Sequence, residues 1–226
     1  MKIAIINGSP RKNGATFKIL NYFKETLENI NSEINIKFVN LIDYNFKYCI
    51  GCQHCYNKGK CIISDDRIEE VHDIIKNSNG LIFGSPSYAT NITGLYRNFY
   101  DRVNMLMDRL LHKKPCINVV TYENISLRTL NIMKEMVTYA GGYNINSMAV
   151  KNPFNNDPLN NKLKCKIEKT SKFLIKRVKI NKPPLFFVIY SKILNLFLIP
   201  FVYKNKEHYQ GIINNWKENN IIKGET

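Results

Sequence analysis

The first sixteen residues constrain the fold of this chain more than any other stretch. Residues 2–7 form a short isoleucine-rich run, the pattern of a strand buried on both faces of a parallel sheet. A polar turn follows, and from Thr16 apolar residues recur every three or four positions, which predicts a helix. Such a junction directs backbone N–H groups and the positive end of the helix dipole at one point. Because Ser9, Arg11 and Thr16 surround that point, we predict a phosphate site, with a simple helix-capping turn as the alternative.

Strands alternate with helices along the next 150 residues. The predicted strands are 2–7, 34–41, 80–84, 115–121 and 143–150. This alternation predicts an α/β fold with a doubly wound parallel sheet and right-handed crossovers, in the strand order 2-1-3-4-5. Strand 2 alternates apolar and polar residues, so we place it at the sheet edge. The loops after strands 1, 3 and 4 then converge at the carboxyl end of the sheet, where a ligand is expected.

For two of the predicted helices, the sequence also indicates how one begins and how far the other extends. Ser64, Asp65 and Asp66 supply N-cap chemistry for a helix with an apolar face. A later helix is predicted to carry its apolar face as far as Leu110, with positions Leu95, Phe99, Val103, Leu106 and Leu110. On this helix we expect Asp101 and Arg102 to form a structural pair that ties the preceding loop to its neighbours.

The chain of 226 residues is long enough for one full core and an extension. Pro183 and Pro184 mark the boundary between a domain over 1–182 and a C-terminal helical extension over 183–226. Residues 185–203 are mostly apolar, but a lysine and an asparagine near the centre argue against a membrane span. We expect a helical arm that packs on the domain or on a second subunit, in preference to a helix on a membrane surface.

The formal net charge of +15 predicts attraction to anions. The sequence shows no nucleic-acid-binding motif, so a phosphorylated nucleotide or an acidic protein is the better partner. The N-terminus has no signal-peptide pattern, which predicts a cytoplasmic protein. In a reducing compartment, the six cysteines are expected to be ligands or thiols and not disulfides.

Four cysteines lie close together in an insertion after strand 2, residues 42–64. Cys49, Cys52 and Cys55 are each separated by two residues, and Cys61 follows after five more. This spacing resembles ferredoxin-type ligation of a [4Fe-4S] cluster. Zinc, disulfides and free thiols are the alternatives. Cys116 is predicted to be a core residue, and Cys165 a helix cysteine without a partner.

Two loops resemble those of the NADPH-dependent FMN reductases, in the iron–sulfur flavoprotein branch of this flavodoxin-like superfamily. The first is Gly8-Ser-Pro-Arg-Lys-Asn-Gly-Ala-Thr16, and the second is the Ser-Pro-Ser-Tyr loop with the helix that follows it, residues 84–102. The cysteine ladder resembles the compact cluster motif of iron–sulfur flavoproteins. The resemblance implies that Ser9, Arg11, Asn13, Gly14, Ala15 and Thr16 hold the FMN phosphate, and that Pro86, Ser87, Tyr88 and Ala89 border the flavin ring. The sequence departs from the superfamily after strand 4, where residues 121–126 replace a glycine-rich turn.

The resemblance implies an oxidoreductase in which FMN links NAD(P)H, or ferredoxin, through the cluster to an acceptor. It also implies a homodimer or higher homo-oligomer, with the cluster serving the flavin across the interface. No side chain is identified as an acid, base or nucleophile. The alternatives are a non-enzymatic flavodoxin-like electron carrier and a zinc-stapled, flavin-binding regulator.

Overall fold

A computed structural model describes residues 1–222, and its centre is a five-stranded parallel sheet in the order β2-β1-β3-β4-β5. The strands are β1 Lys2–Asn7, β2 Asn35–Asn40, β3 Gly80–Pro86, β4 Pro115–Tyr122 and β5 Tyr143–Lys151. The helices are α1 Ala15–Ile30, α2 His54–Lys58, α3 Ile68–Lys76, α4 Gly94–Arg102, α5 Leu127–Tyr139, α6 Asn161–Ile180, α7 Leu185–Lys204 and α8 Lys206–Glu218. The predicted architecture and strand order are confirmed. The last four residues of the predicted extension, 223–226, lie outside the described part.

The sheet is covered on both faces, as its apolar strands require. Residues Ile3 and Ile5 of β1 face a core with α1 and α6, while Ala4 and Ile6 face the opposite core with α3, α4 and α5. Strand β2 lies at the edge and is only partly covered, which agrees with its alternating sequence. Cys116 is fully buried, as predicted.

Two helix predictions need correction. Helix α4 ends at Arg102, eight residues before the predicted end at Leu110. The chain leaves the helical path there because Asn104 and Arg109 adopt left-handed backbone conformations, with φ of 48° and 49°. Leu110 is nevertheless buried through a different turn, whereas Leu106 is exposed. A helical period therefore continues in the sequence after the helix has ended.

The second correction concerns the Asp101–Arg102 pair. The start of α3 itself agrees with the prediction in part, because Asp66 accepts a hydrogen bond from the Ile68 amide at 3.3 Å, although Arg67, which directly precedes the helix, provides no side-chain cap. Arg102 does not pair with its neighbour. It forms a buried ion pair with Asp66 at 2.7 Å, while Asp101 pairs with Arg97 at 3.0 Å. The longer-range pair connects α4 to the segment that follows the cysteine insertion.

The C-terminal extension forms two helices, α7 and α8. Val202 of α7 packs with Ile212, Ile213 and Trp216 of α8 in a small third core, and Tyr56 of the insertion lies against it. By length and composition α7 could cross a membrane, with a mean hydropathy of 2.1, but only 11% of its most apolar window is buried. The extension therefore adds a core of its own and also exposes an apolar helix.

Candidate functional site

A pocket of about 330 Å³ lies at the carboxyl end of the sheet. Its lining comes from the loops after β1, β3, β4 and β5. The lining residues are Ser9, Arg11, Gly14, Ala15, Thr16, Pro86, Ser87, Tyr88, Thr121, Tyr122, Glu123, Asn152 and Phe154. The two segments that the sequence predicted to be a site are thus brought together, as the fold rule for parallel sheets requires.

The loop after β1 is held tightly against the neighbouring strand. The Gly8 amide donates to the Gly84 carbonyl at 2.8 Å, and the Thr93 hydroxyl donates to the Gly8 carbonyl at 2.7 Å. A Cβ on Gly8 would lie 2.5 Å from Cδ2 of Tyr96. Only glycine allows the first loop to approach the start of α4 this closely, so the loop has a fixed position relative to the pocket.

The polar groups of the first loop suit an anion. Ser9 is buried, and its hydroxyl accepts a hydrogen bond from the Arg11 amide at 3.2 Å. Within residues 1–222, no side chain caps the N-terminus of α1, and its first turn contains no acidic residue. The amides of Ala15 and Thr16 therefore remain available at the pocket wall, together with the positive end of the helix dipole. These groups fit a phosphate monoester, which is what FMN would present.

The Thr16 hydroxyl also contacts the loop after β4. Its Oγ1 lies 2.7 Å from Oγ1 of Thr121, and both residues are buried. This bond couples two sides of the pocket. If Thr121 donates, the Thr16 hydrogen remains free to donate to an anion in the pocket. This is the loop at which the sequence departs from the superfamily, and no local pattern in the sequence indicates the bond.

The other side of the pocket offers aromatic surface. Tyr88 is 39% exposed, and it closes a small turn with Asn91 through two backbone hydrogen bonds of 2.9 Å. Phe154 is 86% exposed, and Tyr122 also lines the wall. Planar rings at a pocket edge suit a flat heteroaromatic ligand such as a flavin ring. Ser87 has a structural task as well, because its hydroxyl lies 2.7 Å from that of Thr129 on α5.

Most of the predicted cofactor-binding residues line this pocket, but two do not. Asn13 lies in the first loop and Ala89 in the second, where Ala89 has a left-handed φ of 47°. Asn152 and Phe154, which were not predicted from the sequence, also line the pocket, from the segment after β5. The sequence indicates these two residues only through their position, because they follow the fifth strand at the same edge of the sheet as the other loops.

The cysteine insertion is anchored at its base by α4. Arg102 donates hydrogen bonds to the carbonyls of Lys47 and Ile63, the latter at 3.1 Å, in addition to its pair with Asp66. Asn98 donates to the Phe46 carbonyl at 3.2 Å. These bonds hold both ends of the insertion together. Helix α4, nine residues and about 13 Å long, therefore begins beside the first loop, where Thr93 bonds Gly8, and ends at the insertion, where Arg102 bonds Ile63.

Helix α8 packs directly on the insertion. Asn215 donates to the Gly59 carbonyl at 3.0 Å, and Tyr56 stacks on Tyr209 with ring centroids 5.4 Å apart. A Cβ on Gly211 would lie 2.0 Å from the Gly59 amide nitrogen, so the two backbones touch. The C-terminal extension is therefore a support for the cysteine-containing segment of the same chain.

The four predicted ligand cysteines lie in one insertion, but their side chains are not arranged around a common point within the described residues. Cys49 and Cys52 are exposed, whereas Cys55 and Cys61 are partly buried. Burial, reinforced by the charges of Asp108, Cys61 and Cys49, raises the pKa of the Cys55 thiol to about 12. Within the described residues, no three His, Cys, Asp or Glu side chains converge as metal ligands. Four thiols in one short segment are a donor set that suits either an iron–sulfur cluster or a zinc ion.

Comparisons with known sequences agree with this arrangement. Residues 1–156 match the family model of the NADPH-dependent FMN reductases. The chain is 45% identical over 225 residues to an iron–sulfur flavoprotein of Clostridioides difficile, covering 98% of this chain and all of the relative. It is 36% identical over 103 residues to an iron–sulfur flavoprotein of Archaeoglobus fulgidus, covering 46% of each chain. The match to this archaeal relative therefore spans about half of its length.

Solved structures show the same fold at low sequence identity. An NADH:FMN oxidoreductase superposes with a TM-score of 0.57 at 19% identity, covering 79% of this chain and 89% of that one. An oxidised flavodoxin from Bacillus cereus superposes with a TM-score of 0.55 at 14% identity, covering 78% and 98%. The sheet and its flanking helices are thus flavodoxin-like.

Proposed function

This chain belongs to the NADPH-dependent FMN reductase family, and on that premise we propose that it is an FMN- and iron–sulfur-containing oxidoreductase, passing electrons from a nicotinamide nucleotide or an acidic carrier protein to an acceptor. The observation that carries the proposal is the pocket at the carboxyl end of the sheet. There, an uncapped helix N-terminus and the hydroxyls of Ser9 and Thr16 face the same space as Tyr88 and Tyr122.

The residues of the pocket divide into two roles. The amides of Ala15 and Thr16, the Ser9 hydroxyl and the Arg11 charge bind the phosphate and thereby set the position of the cofactor. Tyr88 and Tyr122 provide aromatic surface for the ring and exclude water from it. When bound, FMN supplies a ring that accepts a hydride and releases electrons singly. The protein therefore contributes binding and orientation, and no acid–base side chain is required.

We further propose that Cys49, Cys52, Cys55 and Cys61 hold a [4Fe-4S] cluster. The support is the all-thiol donor set, the rigid base formed by Arg102, and the description of the relatives as iron–sulfur flavoproteins. The ligand geometry would have to form when the metal binds, because the thiols do not converge as ligands within the described residues.

Anaerobic purification followed by quantification of FMN, iron and acid-labile sulfide tests both cofactors. We expect one FMN and about four iron atoms per chain. Cys49→Ser should remove most of the iron, whereas the matched variant Cys165→Ser, on the outer face of α6, should retain it. Zinc in place of iron, or equal iron in both variants, would contradict the cluster. Protein that remains colourless with excess FMN would contradict the flavin site.

The donor is tested separately by steady-state oxidation of NADH and NADPH with an artificial acceptor. The charge of +15 favours an anionic donor, either a nucleotide or an acidic protein such as ferredoxin. Turnover with a nicotinamide supports the enzyme, while reduction only by a carrier protein supports the electron-carrier alternative. We also propose a cytoplasmic location and a homodimer or higher homo-oligomer, and light scattering of the purified holoprotein would test the oligomeric state.

A further inference from the structure

Helix α7 is oriented with Ser191 and Asn195 toward the protein. Ser191 and Asn195 are partly buried, and both accept hydrogen bonds from Arg109, at 3.3 Å in the case of Ser191. Arg109 is itself only 1% exposed. Because breaking these bonds would leave a buried guanidinium group without acceptors, the rotation of α7 about its axis is fixed.

The opposite face of α7 is apolar and exposed. Large apolar side chains recur along it at intervals of about three and four residues, over a helix of 20 residues that is about 30 Å long. The exposed members are Leu185, Phe186, Ile189, Ile193, Leu196, Phe197, Phe201 and Tyr203, with exposed fractions from 36% to 81%. Within α7, only Phe187 and Val202 are buried. An apolar stripe of this length marks an interaction surface.

The contacts of α7 are not those of a membrane-spanning helix. Its end is tied to α8 through Val202 and Trp216, and its middle is tied to Arg109. Crossing a bilayer would also bury Lys192 and Asn195 in hydrocarbon, which is costly for a charged and a polar side chain. The axis of α7 therefore runs along the protein surface, and its apolar face points to solvent.

The positive charge of the segments that adjoin α7 in the sequence favours an anionic partner. Lys182 precedes the helix, Lys204 ends it, Lys206 follows, and Lys192 lies within it, all of them exposed. Helix α6, which leads into α7, carries a further exposed row of lysines: Lys162, Lys166, Lys169, Lys172, Lys176 and Lys179. A second copy would bring the same charge of +15 to the interface, whereas an anionic bilayer is complementary to it.

We propose that the exposed face of α7 docks the protein on an anionic lipid bilayer, with the helix parallel to the membrane plane. The apolar side chains enter the boundary between headgroups and acyl chains, and the lysines at both ends meet the headgroups. Lys192 extends along the apolar surface to place its ammonium group at the same level. The docked protein remains peripheral and reversibly bound.

Vesicle flotation with the full-length, FMN-loaded protein tests this proposal. We expect binding to vesicles of equal parts phosphatidylglycerol and phosphatidylcholine, and at least about tenfold weaker binding to phosphatidylcholine alone or in 0.5 M salt. Leu196→Ser should weaken binding about tenfold. The control is Leu127→Ser, because Leu127 on α5 is as exposed as Leu196, at 69% and 71%, and should bind like the wild type.

Three outcomes would overturn the proposal. The first is absence of wild-type binding to phosphatidylglycerol vesicles, and the second is equal loss in the two leucine variants. The third is a wild-type dimer in lipid-free buffer that Leu196→Ser converts to monomers without any vesicle binding, which would assign the face to a second copy. Flavin content measured on each variant confirms that the fold is retained.

Discussion

The bond between Thr16 and Thr121 allows the phosphate loop to be tested through two substitutions that preserve side-chain shape. Thr121→Val removes one hydroxyl and leaves that of Thr16, which is 2% exposed, without its protein partner. An unsatisfied buried hydroxyl costs about 1–3 kcal/mol, so we expect about 2 kcal/mol of lost stability in the apoprotein. Thr16→Val should cost a similar amount, because it leaves the Thr121 hydroxyl unpaired.

The double variant distinguishes a bond from two independent effects. With both hydroxyls replaced by methyl groups of the same shape, no buried donor or acceptor remains, and we expect a loss of about 1 kcal/mol or less. With single losses of about 2 kcal/mol each and a double loss of about 1 kcal/mol, the coupling free energy between the two sites should be about 3 kcal/mol in magnitude. Urea unfolding of the four apoproteins, followed by circular dichroism, measures it.

FMN titration of the same four proteins separates binding from stability. A hydroxyl that donates to a phosphate contributes about 1.5–3 kcal/mol, so Thr16→Val should weaken FMN binding by about tenfold to a hundredfold. Thr121→Val keeps the Thr16 donor and should weaken binding by less than about fivefold. Additive stability effects together with unchanged FMN affinity in Thr16→Val would refute both the coupling and the phosphate role.

Three further substitutions test the supports of the two sites and the pH dependence of stability. Gly211→Ala places a methyl group 2.0 Å from the Gly59 amide, so α8 must move off the insertion; we expect iron content to fall while FMN content is retained, as measured by metal and flavin analysis. Arg102→Met leaves the buried Asp66 carboxylate uncompensated, and the free energy of unfolding in urea should fall by about 3–5 kcal/mol; a change below about 1 kcal/mol would contradict the role of this pair. Burial, aided by neighbouring cations, lowers the pKa of His112 from its ordinary 6.5 to about 4. Between pH 6.5 and pH 4, His112 is protonated in the unfolded chain but neutral in the folded chain. The free energy of unfolding therefore falls as the pH drops from 6.5 to 4, by up to about 3 kcal/mol. His112→Leu should remove that part of the slope in urea titrations at several pH values, and an unchanged slope would contradict the assignment.

The sequence by itself determined the sheet and the position of the pocket. Both follow from local patterns: the isoleucine-rich first strand, the alternating second strand, and the polar loop that precedes α1. In a parallel sheet these patterns leave few arrangements, because strands in such crossovers place their following loops at the same edge. All the residues predicted for the phosphate loop, apart from Asn13, line the pocket, and their role in binding a phosphate stays a prediction.

Only the tertiary structure decided which distant groups pair with one another. The sequence placed Arg102 beside Asp101, but the fold gives it Asp66 and the base of the insertion. It also predicted an apolar arm without indicating that Arg109 turns the polar face of α7 inward. The physical reason is that periodicity is a local property, whereas a buried charge or hydroxyl is satisfied by whichever acceptor the packing of remote segments brings within reach.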